Sequence, residues 1–280
     1  MNLLNVLVLA VVQGVCELLP VSSSAHVIMA EKLLGLDPTA PEMTMLLVML
    51  HTGTMFAVIA YFWRSWRTTY FGSVEEFRRN GLLVLLATAA TGIVGLGLLQ
   101  VIKSVIAKDS PGFEIEHLFG NPRIMATGLA TTGLLILYSA RRGQPGGELS
   151  IRSAVWIGVV QGLCLPFRGL SRSGATISTA LALGVARRRA EEFSFALAVV
   201  LTPAVIVKEA YRLYKVPAVA GMMHTGGLWQ LLLPSLLGMV FSFAAGMLAL
   251  RWLSRWLEQD RWHLFGFYCL LIAPLVFLAG

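Results

Sequence analysis

Six apolar stretches, at residues 43–63, about 81–102, about 123–140, about 193–212, about 229–250 and 263–279, are each long enough to cross the hydrocarbon core of a bilayer. No other feature restricts the fold as strongly. A segment in lipid must satisfy every backbone N–H and C=O internally, so only helices and closed barrels span it, and runs of this length spell helices. Composition agrees: 13% of residues are charged and 56% hydrophobic, where a soluble domain carries about 25% charged residues. The net charge of +7 is no nucleic-acid signal. Its Arg and Lys residues lie between the apolar runs, where membrane topology uses them. Cys16, Cys164 and Cys269 lack metal-ligand spacing and sit in apolar sequence, as small buried side chains do. The N-terminus lacks the basic region and small-residue cleavage site of a removable signal.

Two further apolar stretches are interrupted. Residues 3–19 are too short for a comfortable span, and Pro20 with Ser22, Ser23 and Ser24 breaks them from a second short piece at 25–36. The second interrupted stretch, 153–186, ends at Arg187, Arg188 and Arg189. A broken segment at membrane depth is tolerated where it is buried in protein or lines a watery cavity. Re-entrant helical hairpins are favoured over single kinked helices, although Pro is common in membrane helices.

The two interrupted stretches correspond. Residues 11–16 read VVQGVC and residues 159–164 read VVQGLC; at the same offset Ser23 falls on Ser171, Thr54 on Thr202 and Arg64 on Arg212. A broken segment followed by three spans thus occurs twice, at about 1–140 and 151–280, divided by the RRGQPGGELS linker at 141–150. The expected fold is an all-α polytopic membrane protein, a single integral domain. It has an inverted-topology repeat, two re-entrant hairpins and about six full transmembrane helices.

Basic residues set the orientation. With the loop at 64–80 cytoplasmic, Arg141, Arg142, Arg152, Arg187, Arg188, Arg189, Arg251, Arg255 and Arg261 fall on the same side. The termini and 35–42, 103–121 and 213–228 fall outside. Gly92, Gly95 and Gly97 are expected to let helices approach closely.

The chemistry is concentrated in the breaks. Glu17, four residues after Gln13 and on the same helical face, is a carboxylate in an apolar run, which is expensive and a functional candidate by default. Its bland alternative is a structural partner for an arginine. Three consecutive hydroxyls, Ser22, Ser23 and Ser24, exceed what one helix cap needs. His26, otherwise an ordinary hydrogen-bonded histidine, is beside them a candidate general acid or base. The second break, 161–176 (QGLCLPFRGLSRSGAT), offers backbone N–H groups at a helix start, the hydroxyls of Ser171, Ser173 and Thr176 and the fork of Arg172. That combination suits a phosphate, although the nucleotide loop pattern G-x-x-x-x-G-K-[ST] is absent. A transporter's anion site would use similar parts. His51, in HTGT at 51–54, ranks second, with helix packing at Gly53 as its alternative.

At these residues the chain resembles the bacterial undecaprenyl-diphosphate phosphatases of the bacitracin-resistance type. The resemblance rests on Gln13, Gly14, Glu17, Leu19, Pro20, Ser22, Ser23, Ser24 and His26, and on Gly169, Ser171, Arg172, Ser173, Gly174 and Thr176. Residues around His51 and Trp63 and the EFSF at 192–195 are also similar, so it covers essentially the whole chain. Arg168 departs from the motif, standing where the family has Pro, and Gln13 replaces the first acid of members that carry two. The resemblance implies removal of the terminal phosphate of undecaprenyl diphosphate, recycling the carrier for peptidoglycan synthesis and giving bacitracin resistance. It implies a polyprenyl diphosphate substrate and a divalent cation, Mg²⁺ or Ca²⁺, with Glu17 its candidate ligand. It places the protein in the bacterial inner membrane, with the site opening to the periplasmic side.

Ser23 is then the preferred nucleophile over Ser171, and either Glu17 or His26 moves the proton. Arg172, Ser171, Ser173 and Thr176 hold phosphate, with Ser22 and Ser24 beside them and Gln13, His51 and Arg168 in a second rank. A lipid flippase or secondary transporter is the competing class, and a membrane scaffold the third.

Overall fold

The computed structural model describes residues 2–38, 40–106, 121–142, 146–215 and 228–278. Among them the chain forms helices α1 (Leu3–Leu18), α2 (Ser23–Leu33), α3 (Pro41–Phe71), α4 (Val74–Ile106), α5 (Pro122–Ala140), α6 (Ile151–Cys164), α7 (Arg172–Ala182), α8 (Arg187–Tyr214), α9 (Leu228–Glu258) and α10 (Trp262–Leu278). α3, α4, α5, α8 and α9 are long and apolar enough to cross a membrane. The protein is therefore a multi-pass membrane protein. The expected sixth span, α10, has 17 residues and rises only about 26 Å at 1.5 Å per residue.

The helices outrun the apolar stretches. The basic segment 64–80 is not a loop: α3 continues to Phe71 and α4 starts at Val74, with a turn only at Gly72 and Ser73. Hydropathy reports where lipid touches a helix, not where its hydrogen bonds end. Likewise α4 carries the start of the expected 103–121 loop to Ile106, and residues 107–120 lie outside the described residues. The same holds for 143–145 of the midpoint linker and 216–227 of the 213–228 loop. Past 145, the linker is tied down: Gly147 N–H donates to the Gly184 carbonyl, and Ala186 N–H to the Gly147 carbonyl, both at 2.9 Å.

Both interrupted stretches form pairs of short helices packed on one another. α1 ends because Pro20 forces Leu19 out of the helical region, to φ −73°, ψ 153°. α6 ends before Pro166 and Gly169, whose φ of +100° suits glycine. Gln-Gly sits at the same place in each first arm. A Cβ on Gly14 would lie 2.7 Å from the Ser242 carbonyl of α9, and one on Gly162 2.9 Å from the Thr91 carbonyl of α4. Of the three glycines expected to bring α4 close to a neighbour, only Gly95 does so, against Leu165; Gly92 and Gly97 face open space. Cys16 and Cys269 are buried as expected, while Cys164 is half-buried, and all three are free.

A polar network at the start of α8 ties three helices together. Glu192 accepts hydrogen bonds from Ser65 of α3 and Arg188 and pairs with Arg189. Arg189 donates to Asn80 of α4.

Candidate active site

The break between α1 and α2 meets the start of α7. Ser173 Oγ donates to the Leu19 carbonyl at 3.2 Å, and Cys269 of α10 points its thiol at the Pro20 carbonyl, also at 3.2 Å. This brings together groups that are 155 residues apart. Arg172 Nη2 donates to Glu17 Oε1 at 3.0 Å. The other carboxylate oxygen, Oε2, accepts from Ser23 Oγ at 2.6 Å and from Gln13 Nε2 at 3.4 Å. His51 Nε2, from α3, lies 4.0 Å from the same oxygen. The Glu17 and Arg172 side chains are 19% and 23% exposed, enough for a reactant to touch them and little enough for their charges to act at short range.

Local backbone explains why the two serine-rich starts differ. Ser171 is the N-cap of α7 and accepts from Gly174 N–H through its hydroxyl at 3.2 Å. Ser22, the N-cap of α2, makes no such bond and has φ 65°, unusual for a residue with a side chain. Ser23 opens the first turn of α2 without capping duty, and its hydroxyl reaches back to Glu17. A serine O–H on a carboxylate at this distance is the arrangement in which the carboxylate takes the proton as the oxygen attacks. Ser24 is half-buried in the same turn.

The expected site residues divide. Glu17, Ser23, Arg172, Gln13 and His51 gather around one carboxylate. The packing alternative for HTGT is also present: Gly53 lies against Met239 of α9, leaving His51 on the face toward Glu17. His26 does not join the cluster. Its Nδ1 is 2.8 Å from the Ser22 carbonyl and its Nε2 2.7 Å from the Tyr268 hydroxyl of α10.

Thr176 is fully buried, donating to the Arg172 carbonyl and meeting Ser194 of α8 at 2.6 Å. Ser171 and Ser173 are buried too, their hydroxyls 3.3 Å apart. In this structure all three hydroxyls hold α7 in place; they do not line an open anion site. Helix caps and anion cradles use the same residues, so the sequence pattern does not separate them. Arg168 is exposed and lies within charge range of Glu31 on α2.

Three contributors were not expected as site residues. Thr132 of α5 accepts from the Ser171 N–H at 2.9 Å, Ser194 meets Thr176, and Tyr268 meets His26. Thr132 and Tyr268 lie in apolar spans where only a hydroxyl marks them, while Ser194 is the serine of the EFSF at 192–195, noted above only as part of the resemblance.

Arg172 Nη1 is buried and has no hydrogen-bond partner among the described residues. An unmatched guanidinium N–H beside a serine–carboxylate pair is a donor available to a phosphoryl oxygen. A metal cage is a poor fit. Glu17 is the one carboxylate of the cluster, both its oxygens are engaged, and no group of three His, Cys, Asp or Glu side chains suited to an ion exists among the described residues. Mg²⁺ and Ca²⁺ take six or more oxygen ligands.

A family profile described as bacitracin resistance protein BacA matches residues 6–275. The chain is 62% identical over 279 residues to undecaprenyl-diphosphatase 2 of Acinetobacter baylyi, covering 99% of this chain and 97% of that protein. It is 30% identical to an undecaprenyl-diphosphatase of Korarchaeum cryptofilum, with 97% of each chain covered. It is 33% identical to one of Acidiphilium cryptum, covering 95% of this chain and 94% of that one.

Proposed function

The chain belongs to the bacitracin resistance protein BacA family, and on that premise we propose that it hydrolyses undecaprenyl diphosphate to undecaprenyl phosphate and inorganic phosphate. This returns the lipid carrier to peptidoglycan synthesis and confers bacitracin resistance. The observation that carries the chemistry is the Ser23 hydroxyl on Glu17 at 2.6 Å, with the unpartnered Arg172 Nη1 close by.

Ser23 Oγ attacks the terminal phosphorus while Glu17 Oε2 takes its proton. The bond from phosphorus to the bridging oxygen breaks, and undecaprenyl phosphate leaves with that oxygen. Water then cleaves the phosphoserine, releasing phosphate and restoring the hydroxyl. Arg172 stabilises the charge spread over the equatorial oxygens, the main demand of phosphoryl transfer. His51 Nε2 lies 4.0 Å from Glu17 Oε2 and supports the carboxylate. A divalent cation, Mg²⁺ or Ca²⁺, would find Glu17 as its one carboxylate ligand here and would have to draw its other ligands from phosphate oxygens and water, adding positive charge beside the Arg172 guanidinium. Flippase or transporter activity is not favoured by the relatives, whose names are those of phosphatases.

We place the protein in the bacterial inner membrane with its site facing the periplasmic side, between two re-entrant hairpins. The matched glycines, Gly14 on α9 and Gly162 on α4, support the two-fold arrangement. Phosphate release from the C55 lipid diphosphate by purified protein tests the activity. Ser23→Ala is expected to abolish release while lipid binding persists; Ser171→Ala is expected to weaken both. Ser171→Ala inactive with Ser23→Ala active moves the nucleophile to α7. Release retained in both variants points to a directly attacking water.

A further inference from the structure

His26 is the imidazole closest in sequence to Ser23, yet both its ring nitrogens are engaged elsewhere. A carbonyl can only accept, so the 2.8 Å contact from Nδ1 to the Ser22 carbonyl requires the proton on Nδ1. In the neutral ring Nε2 then carries the lone pair and accepts from the Tyr268 hydroxyl at 2.7 Å. The two rings also stack, with centroids 5.8 Å apart and planes within 14°. A ring fixed this way is poorly placed to take the proton of Ser23, which points to Glu17 instead.

What the ring does hold is the backbone next to the nucleophile. Ser22 stands at φ 65°, ψ 94°, a conformation that residues with a Cβ adopt only when their surroundings impose it. Its own side chain supplies no cap bond. The turn is held from outside instead. Cys269 Sγ lies on the Pro20 carbonyl at 3.2 Å, and the neighbouring Tyr268 reaches Ser22 through His26. Two consecutive residues of α10 thus clamp both ends of a break whose purpose is to turn Ser23 toward Glu17.

We propose that Tyr268 is a positioning residue for the nucleophile: it holds the His26 ring, His26 holds the Ser22 carbonyl, and that hold keeps Ser23 on Glu17. The proposal rests on Ser23 being the nucleophile. It changes the part expected of His26 from proton carrier to clamp.

The test uses the full-length purified chain and the C55 lipid diphosphate. Tyr268→Phe keeps the stacking ring and removes the hydroxyl. It is expected to lower kcat roughly 10-fold with KM little changed, since a small displacement of a reacting group costs rate before it costs binding. His26→Gln, whose amide can still donate to Ser22 but cannot act as a base, is expected to keep more activity than His26→Ala. Tyr268→Phe added to His26→Ala is expected to cost nothing further. In protein labelled with ¹⁵N-histidine, the His26 signals are expected to report the Nδ1–H form, and the Nε2 signal to shift in Tyr268→Phe.

An unchanged kcat in Tyr268→Phe overturns the clamp, as does an unshifted His26 signal or a His26→Gln variant as inactive as His26→Ala. Ser23→Ala run alongside separates the two claims. Hydrolysis retained there removes Ser23 as nucleophile and this role of Tyr268 with it. Hydrolysis lost there, with Tyr268→Phe unaffected, removes only the clamp.

Discussion

Arg172 gives Glu17 one of its terminal nitrogens and keeps the other, Nη1, without a partner among the described residues. A guanidinium can hold the carboxylate and a phosphoryl oxygen at once because its donors diverge in a rigid plane; an ammonium is a point charge and cannot hold both in fixed geometry. Arg172→Lys is therefore expected to lower kcat roughly 10²- to 10³-fold, the range for losing a donor to transition-state charge, in a protein that still elutes as a folded species. Near-normal turnover would make Arg172 only the counter-charge of Glu17. Glu17, Ser23 and Arg172 were legible in the sequence because a charge or a run of hydroxyls in an apolar segment is expensive without a purpose. His26 was legible as a residue but not as a contact, since nearness in sequence says nothing about which way a ring turns. Tyr268 gave no signal, because a tyrosine in an apolar span looks the same on lipid as on a histidine.

Breaks in helices read more clearly than helix ends. Pro20 stops α1 and Gly169 lies between α6 and α7, each through a backbone restriction that any sequence displays. The extension of α3 and α8 past their apolar cores was not legible, because tertiary contacts rather than hydropathy fix those turns. Glu192 shows how: its side chain is only 5% exposed and accepts from Ser65 on α3 as well as from Arg188 in its own helix. Glu192→Ala leaves Arg189, itself 20% exposed, without its carboxylate. The expected loss is about 3 kcal/mol, the lower end for breaking a buried pair because Arg188 stays open to solvent. Glu192→Gln keeps the acceptor for Ser65 and is expected to lose less. Thermal unfolding in detergent reads both; equal midpoints for Glu192→Ala and the unsubstituted protein would show that α8 is anchored elsewhere. Hydrolysis below the transition is expected to be preserved, since this network does not touch the Glu17 cluster.

At the scale of the molecule, the two halves place the same Gln-Gly pair against different helices. Gln161 donates to Thr91 of α4 at 3.2 Å, while Gln13 turns to Glu17, so the shared position is structural in one half and part of the cluster in the other. The inverted repeat we propose would make this a two-fold scaffold bearing an asymmetric site, with one break supplying carboxylate and hydroxyl and the other the guanidinium. The arrangement requires the first hairpin to reach the cluster from one side of the membrane and the second from the other. The turn after α2 and the turn between α3 and α4 must then face opposite compartments. The second of these is expected in the cytoplasm, because Arg64, Arg67, Arg78 and Arg79 flank it. In a background free of the native cysteines, Pro38→Cys, exposed in the first turn, is expected to react with an impermeant maleimide added outside intact cells. Glu75→Cys, exposed beside the second, is expected to react only after the membrane is opened. Labelling of both from outside would place the first hairpin and the basic turn on one side. The two short-helix pairs could not then meet from opposite faces, and the inverted topology would have to be given up while the Glu17 cluster stood unchanged.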